Sequence, residues 1–218
     1  MPLKIAHRGM PGLARENTLP SFQLALDAGA DGIELDVHAT RDGVVVVHHD
    51  ADLADGTRIA EQTFAELRRH EAAPGIAIPT LEEVCELAAG RATLFVELKG
   101  AGIEPRALDL MGSYAGEYAL HSFDHEMIRR ARALDSTVRL GILVEDSGTD
   151  VAGQLAHAGA TDLWPHWPLV TPSLVAAAHG VGARVIPWTV NDAARAEWLA
   201  SIGVDGLCGD DIRVFPAT

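Results

Sequence analysis

The sequence predicts an α/β fold, a (β/α)8 TIM barrel in a single domain over residues 1–218, and three observations lead there. Short apolar runs alternate with amphipathic segments from one end of the chain to the other. The runs are continuously hydrophobic, as expected of strands covered on both faces in a parallel sheet. Their number fits a closed barrel, whereas a doubly wound sheet would show fewer strands and a Gly-rich first turn. At 218 residues the chain sits near the lower limit of such barrels, ~200 residues.

The elements follow in order. Leu3–His7 is the first strand, with His7-Arg8 at its carboxyl end. Phe22, Ala25, Leu26 and Gly29 recur at helical spacing after Pro20. The second strand, Gly32–Asp36, carries Glu34 and Asp36 two apart, so both carboxylates face one side. Arg41-Asp42-Gly43-Val44 then signals a hairpin. Read as a two-residue turn at Asp42-Gly43, it sets Asp36 directly opposite His49. Residues 50–78 are polar and hold Asp-Gly and Pro-Gly turn signals, which predicts a short insertion over the barrel mouth. Pro79-Thr80 before Leu81-Glu82-Glu83 marks a helix start. Further strands are expected at Leu94–Lys99, Ala119–Phe123, Leu140–Val144, Asp162–Trp164, Val185–Val190 and Gly206–Cys208. Ile128, Ala131 and Leu134 mark a helix after the fourth.

Composition limits the partners. A net charge of −14, from 31 acidic and 17 basic residues, argues against nucleic acid or an anionic membrane surface, which need a basic footprint. Cys85 and Cys208 match no metal or redox spacing and read as reduced, packed thiols. No apolar run approaches the ~20 residues of a membrane span and the first residues lack a signal-peptide pattern, so a cytoplasmic protein with no membrane insertion is expected. The sequence leaves the oligomeric state open.

In a barrel, function collects at the carboxyl ends of the strands. His7, Arg8, Glu34, Asp36, Glu97, Lys99, His121, Trp188, Asn191 and Asp210 all fall there. Any one alone has an ordinary explanation, a solvated strand face, a core histidine or a structural ion pair. Together, three inward carboxylates cannot stay ionised side by side without a cation, and oxygen-only ligation suits Mg²⁺ or Ca²⁺. Arg8 and Lys99 beside that ion suggest an anionic substrate, most naturally a phosphate.

The motifs His7-Arg8-Gly9, Glu16-Asn17-Thr18, Gly29 to Val37, Thr40-x-Asp42-Gly43, Val47-x-His49-Asp50, Ile78 to Leu81, Val96 to Lys99, Ser122-Phe123, Trp188 to Asn191 and Gly203 to Gly206 occur in order. Over essentially the whole chain they resemble the glycerophosphodiester phosphodiesterase family. The resemblance implies metal-dependent hydrolysis of a small-molecule phosphodiester to glycerol 3-phosphate and an alcohol. It assigns His7 and His49 to proton transfer, Glu34, Asp36 and Glu97 to the metal, and Arg8, Lys99 and Trp188 to the substrate, with Glu16 and Asn17 supporting them. One departure is Asp55, where the family pattern usually has Arg. His121 is an extra imidazole that could contact substrate or be structural. Alternatives are a lysophospholipid or other diester as substrate, a Schiff-base lyase using Lys99, or a binding protein without catalysis.

Overall fold

A computed structural model of the protein describes residues 1–146 and 150–216. The chain opens with β1 (Leu3–His7), α1 (Leu19–Asp27) and β2 (Gly32–Ala39), and β3 (Val45–Val47) turns back antiparallel on β2. A short α2 (Phe64–Leu67) and the hairpin β4 (Glu71–Ala73) and β5 (Ile76–Ala77) follow. The alternation then runs α3 (Leu81–Ala88), β6 (Thr93–Leu98), α4 (Glu104–Met111), β7 (Tyr118–Ser122), α5 (His125–Leu134) and β8 (Arg139–Val144). It ends with α6 (Val151–Ala158), β9 (Asp162–Pro165), α7 (Pro172–Gly180), β10 (Arg184–Val185), α8 (Ala193–Ser201) and β11 (Gly206–Gly209).

Parallel pairing runs in the order β10-β9-β8-β7-β6-β2-β1-β11. The two ends of that ladder meet. Asp205 N donates to Val185 O (2.9 Å), Cys208 N to Pro187 O (3.0 Å) and Val190 N to Cys208 O (2.8 Å). The predicted eight-stranded barrel is therefore what the chain forms. The expected run Val185–Val190 is regular only over its first residue, because Pro187 has no N–H to give to a ladder.

Two cores follow from strand alternation. Inside the barrel, Ile5, Phe95, Ala119, Leu143, Trp164, Ile186 and Cys208 pack together. Phe95 and Trp164 meet edge to face at 5.2 Å. Space for them comes from Gly141, where a Cβ would stand 2.8 Å from Trp164 Cδ1, and Gly32, where it would stand 2.9 Å from Phe95 Cδ2. Outside the barrel the other strand faces pack against the helices. At the amino ends of the strands, fully buried Asp162 accepts two bonds from Arg184, from Nε at 2.8 Å and Nη2 at 2.6 Å. The predicted helix start at Thr80 is a capping box with Glu83.

The hairpin register differs from expectation by one residue. Val37 pairs with Val47, His38 with Val46 and Ala39 with Val45. His48, and not His49, donates its backbone N–H to Asp36 O, at 3.0 Å. The connection is a three-residue loop, with Gly43 N bonded to Thr40 O, Thr40 N bonded to Val44 O and Gly43 at φ 81°. The Thr40 hydroxyl stabilises it, accepting from Val44 N (3.0 Å) and donating to Asp42 Oδ1 (2.7 Å). Residues 50–78 pack Leu53, Ile59, Leu67 and Ile78 onto Val46, and β4 and β5 form a small sheet separate from the barrel.

Candidate active site

Strand register decides which side chains meet at the barrel mouth. His7 is level with Glu34, Asp36 with Glu97, and Glu97 with His121. The cleft above them is lined by His7, Arg8, Glu34, His49, Glu97, Lys99, His121, Phe123 and Trp188, among others. Seven of the predicted site residues thus come together. Asp36, Glu16 and Asn17 stand behind this lining. The lining residues of the cleft include none from 50–78, and Asp55 faces His70 at 3.2 Å within that segment.

Asp36 is fully buried and surrounded by donors. Asn17 Nδ2 donates to it at 2.8 Å, Arg8 Nε lies at 3.0 Å and Lys99 Nζ at 3.2 Å. Burial opposes its charge, but Lys99, Arg8 and the Asn17 amide overcome that and hold the carboxyl down at about 2. Lys99 also reaches Glu97 Oε1 at 2.7 Å. Burial, with Asp36 adding to it, nevertheless pushes Glu97 up to about 8. Glu16 steadies Arg8 from the other side at 3.3 Å.

The loop after β1 is folded tightly to aim these groups. Arg8 and Asn17 both sit at φ 55°, a left-handed conformation that non-Gly residues adopt at a cost. It is held by Arg8 N donating to Glu34 O (2.9 Å) and Asn17 N donating to Arg8 O (3.0 Å). At Gly9, φ 87°, a Cβ would also run into the Ser21 backbone carbon at 2.7 Å.

Two of the cleft histidines, His7 and His49, each have a carboxylate at one nitrogen. His7 Nδ1 donates to Asp210 Oδ1 at 2.7 Å, and Asn191 Nδ2 donates to Asp210 Oδ2 at 2.6 Å. His49 Nδ1 donates to Asp50 Oδ1 at 2.8 Å. These bonds fix the ring orientation and leave Nε2 as the free nitrogen. Burial lowers the His7 pKa, but the Asp210 bond and the Glu34 charge more than offset it, so the net shift is upward. His48, whose Nδ1 bonds Asp50 O at 2.8 Å, is not among the residues lining the cleft. His49 therefore stands in the mouth although the register places His48 opposite Asp36. The chain leaves the ladder after Val47, and strand alternation no longer governs it.

The sequence lists Asp210 at the mouth without a role, and pairing it with His7 takes closure of the barrel across 203 residues. His121 has the most unusual surroundings. It is 1% exposed, stacked on Trp164 at 4.4 Å and 9°. One donor atom each from Glu34, Glu97 and His121 lie within 4.8 Å of one another. Neither imidazole nitrogen has a hydrogen-bond partner among the described residues. Carboxylate oxygens around a buried, unbonded imidazole fit a divalent cation.

Comparison with known proteins finds relatives over nearly the whole chain. Residues 7–214 match the model of the glycerophosphoryl diester phosphodiesterase family. Glycerophosphodiester phosphodiesterases of Caldanaerobacter subterraneus and Bacillus altitudinis are each 32% identical to the chain. The first alignment covers 96% of this chain and 94% of the relative, the second 94% and 93%. Among solved structures, an Oleispira antarctica phosphodiesterase in complex with the product sn-glycerol-3-phosphate has a TM-score of 0.90 at 28% identity. That match covers 96% of this chain and 94% of the other. The Agrobacterium tumefaciens glycerophosphodiester phosphodiesterase gives 0.85 at 26%, over 99% of both.

Proposed function

This chain belongs to the glycerophosphoryl diester phosphodiesterase family, and from that premise we propose a metal-dependent hydrolysis with His7 and His49 as the proton-transfer pair. The family's reaction cleaves glycerophosphodiesters, here to glycerol 3-phosphate and an alcohol. The observation that carries the mechanism is the paired arrangement of two imidazoles in one cleft. Each has Nδ1 tied to a carboxylate and Nε2 free. One Nε2 takes the proton of the attacking oxygen and the other returns one to the leaving alcohol.

Glu34, Asp36 and Glu97 would hold a divalent cation, which when bound would supply charge to neutralise the non-bridging phosphate oxygens. Asp36 keeps Arg8 and Lys99 charged and aimed at the same place, adding to that stabilisation. Glu16 and Asn17 position the arginine and the aspartate. Trp188, whose Nε1 is anchored on Trp164 O at 2.9 Å, meets Phe123 edge to face and offers the substrate an apolar wall. Lys99 is a poor Schiff-base nucleophile. Burial works against its ammonium, but Asp36 and Glu97 raise its pKa and keep it protonated.

The test is a panel of glycerophosphodiesters assayed after chelation and re-addition of Mg²⁺, Ca²⁺ or Mn²⁺. Release of glycerol 3-phosphate that stops in chelator and returns with metal is expected. Full turnover in chelator after exhaustive dialysis would remove the metal from the mechanism.

A further inference from the structure

His121 carries a role that the three predicted carboxylates do not explain. Its ring is buried, held flat on Trp164, and among the described residues bonded at neither nitrogen. Ion pairing with Glu34 does not account for it, since Nε2 lies 3.7 Å from Oε1 and charge-assisted bonds are about 2.7–2.9 Å. Trp164 Nε1 beneath it is also unpartnered, but an indole N–H only donates and cannot hold a cation. Asp36 Oδ2 is taken by Arg8 and Asn17, whereas its Oδ1, with Lys99 Nζ at 3.2 Å, has no hydrogen-bond partner among the described residues and stays available to a cation. Glu34, Glu97 and His121 each bring a donor atom within 4.8 Å of the other two. Backbone pairing sets this up directly, because β6 and β7 align Glu97 with His121.

We infer that His121 is a ligand of the divalent cation, which adds an imidazole to the carboxylates of the donor set. This rests on the metal-dependent reading above and refines it. An all-oxygen set suits Mg²⁺ or Ca²⁺, whereas an imidazole nitrogen tilts the site toward first-row transition ions. The site of this chain therefore selects a transition metal over Mg²⁺ at equal free concentration.

The experiment uses Mn²⁺ as probe, because its unpaired electrons report directly bound nitrogen. Pulsed EPR of the Mn²⁺-loaded protein should show ¹⁴N modulation, replaced by the ¹⁵N pattern when the histidines are ¹⁵N-labelled. His121→Phe keeps a ring on Trp164, and it should abolish the modulation. It should also weaken Mn²⁺ binding in calorimetry by at least the ~10-fold that loss of even an outer partner costs, with a much smaller change for Mg²⁺. If that variant does not fold, His121→Gln makes the same comparison. Saturable Mn²⁺ binding that is lost in Glu34→Gln but shows no nitrogen coupling overturns the role of His121 and leaves the metal reading intact. Absence of saturable binding to the wild-type protein overturns both.

Discussion

At His7, burial and charge act in opposite directions, and the balance is set by Asp210. The folded pKa of His7 is raised, so its contribution to stability is complete below the ordinary value of 6.5 and is lost as pH rises through the folded value. Asp210 is shifted the other way: burial raises its pKa, but the bond and charge of His7 lower it further. Its contribution is present above the ordinary 3.8 and is lost as pH falls through the depressed value. The deficit of Asp210→Asn in chemical denaturation should therefore be greatest between pH 3.8 and 6.5 and shrink on both sides. The same substitution should move the His7 limb of the pH–rate profile to lower pH; an unmoved limb would mean that His7 is not the titrating group. His7→Ala and His49→Ala should each lower turnover by about 10²–10⁴-fold, while His48→Ala keeps most activity. Glu34, Asp36, Glu97 and Lys99 were legible as an inward group because i, i+2 spacing on a strand leaves no other choice. The partnership of Asp36 with Arg8 and Asn17 was not, because it depends on two left-handed residues in a loop.

Among the elements, the β2–β3 hairpin shows where local signals run out. Asp42-Gly43 correctly marks the reversal, but a dipeptide does not say whether the loop has two residues or three. The Thr40 side chain decides that by bonding across the loop to Val44 N. Gly43 is open on its Cβ side, so the cost of a side chain there is purely conformational. Gly43→Ala should destabilise the protein by about 1–2 kcal/mol in urea denaturation and leave metal affinity unchanged. Helix starts were the most readable boundaries, since Thr80 and Glu83 carry the capping box in sequence. The seventh barrel strand was the least exact, because the apolar run continues through a proline that cannot donate to a ladder.

On the scale of the whole molecule, the two ends of the barrel carry different duties. The amino-end plug tests this separation: Asp162→Ala leaves Arg184 without its partner and should cost about 3 kcal/mol or more. The surviving folded fraction should have normal kcat. Divalent cation at about 100 times its Kd should in turn stabilise the protein by ~2.7 kcal/mol, read as a rise in melting temperature that Glu34→Gln removes. The barrel was readable as a count of apolar runs, yet its closure is a long-range event. Val190 and Cys208 join the last two strands, and β1 pairs with β11 beside them. The imidazole on the first strand thereby receives its aspartate from the end of the last. During synthesis on the ribosome, His7 emerges 203 residues ahead of Asp210 and can meet it only once the last barrel strand has been made. A chain halted before β11 lacks both this aspartate and the strand that closes the barrel, and should leave the diester bond uncut.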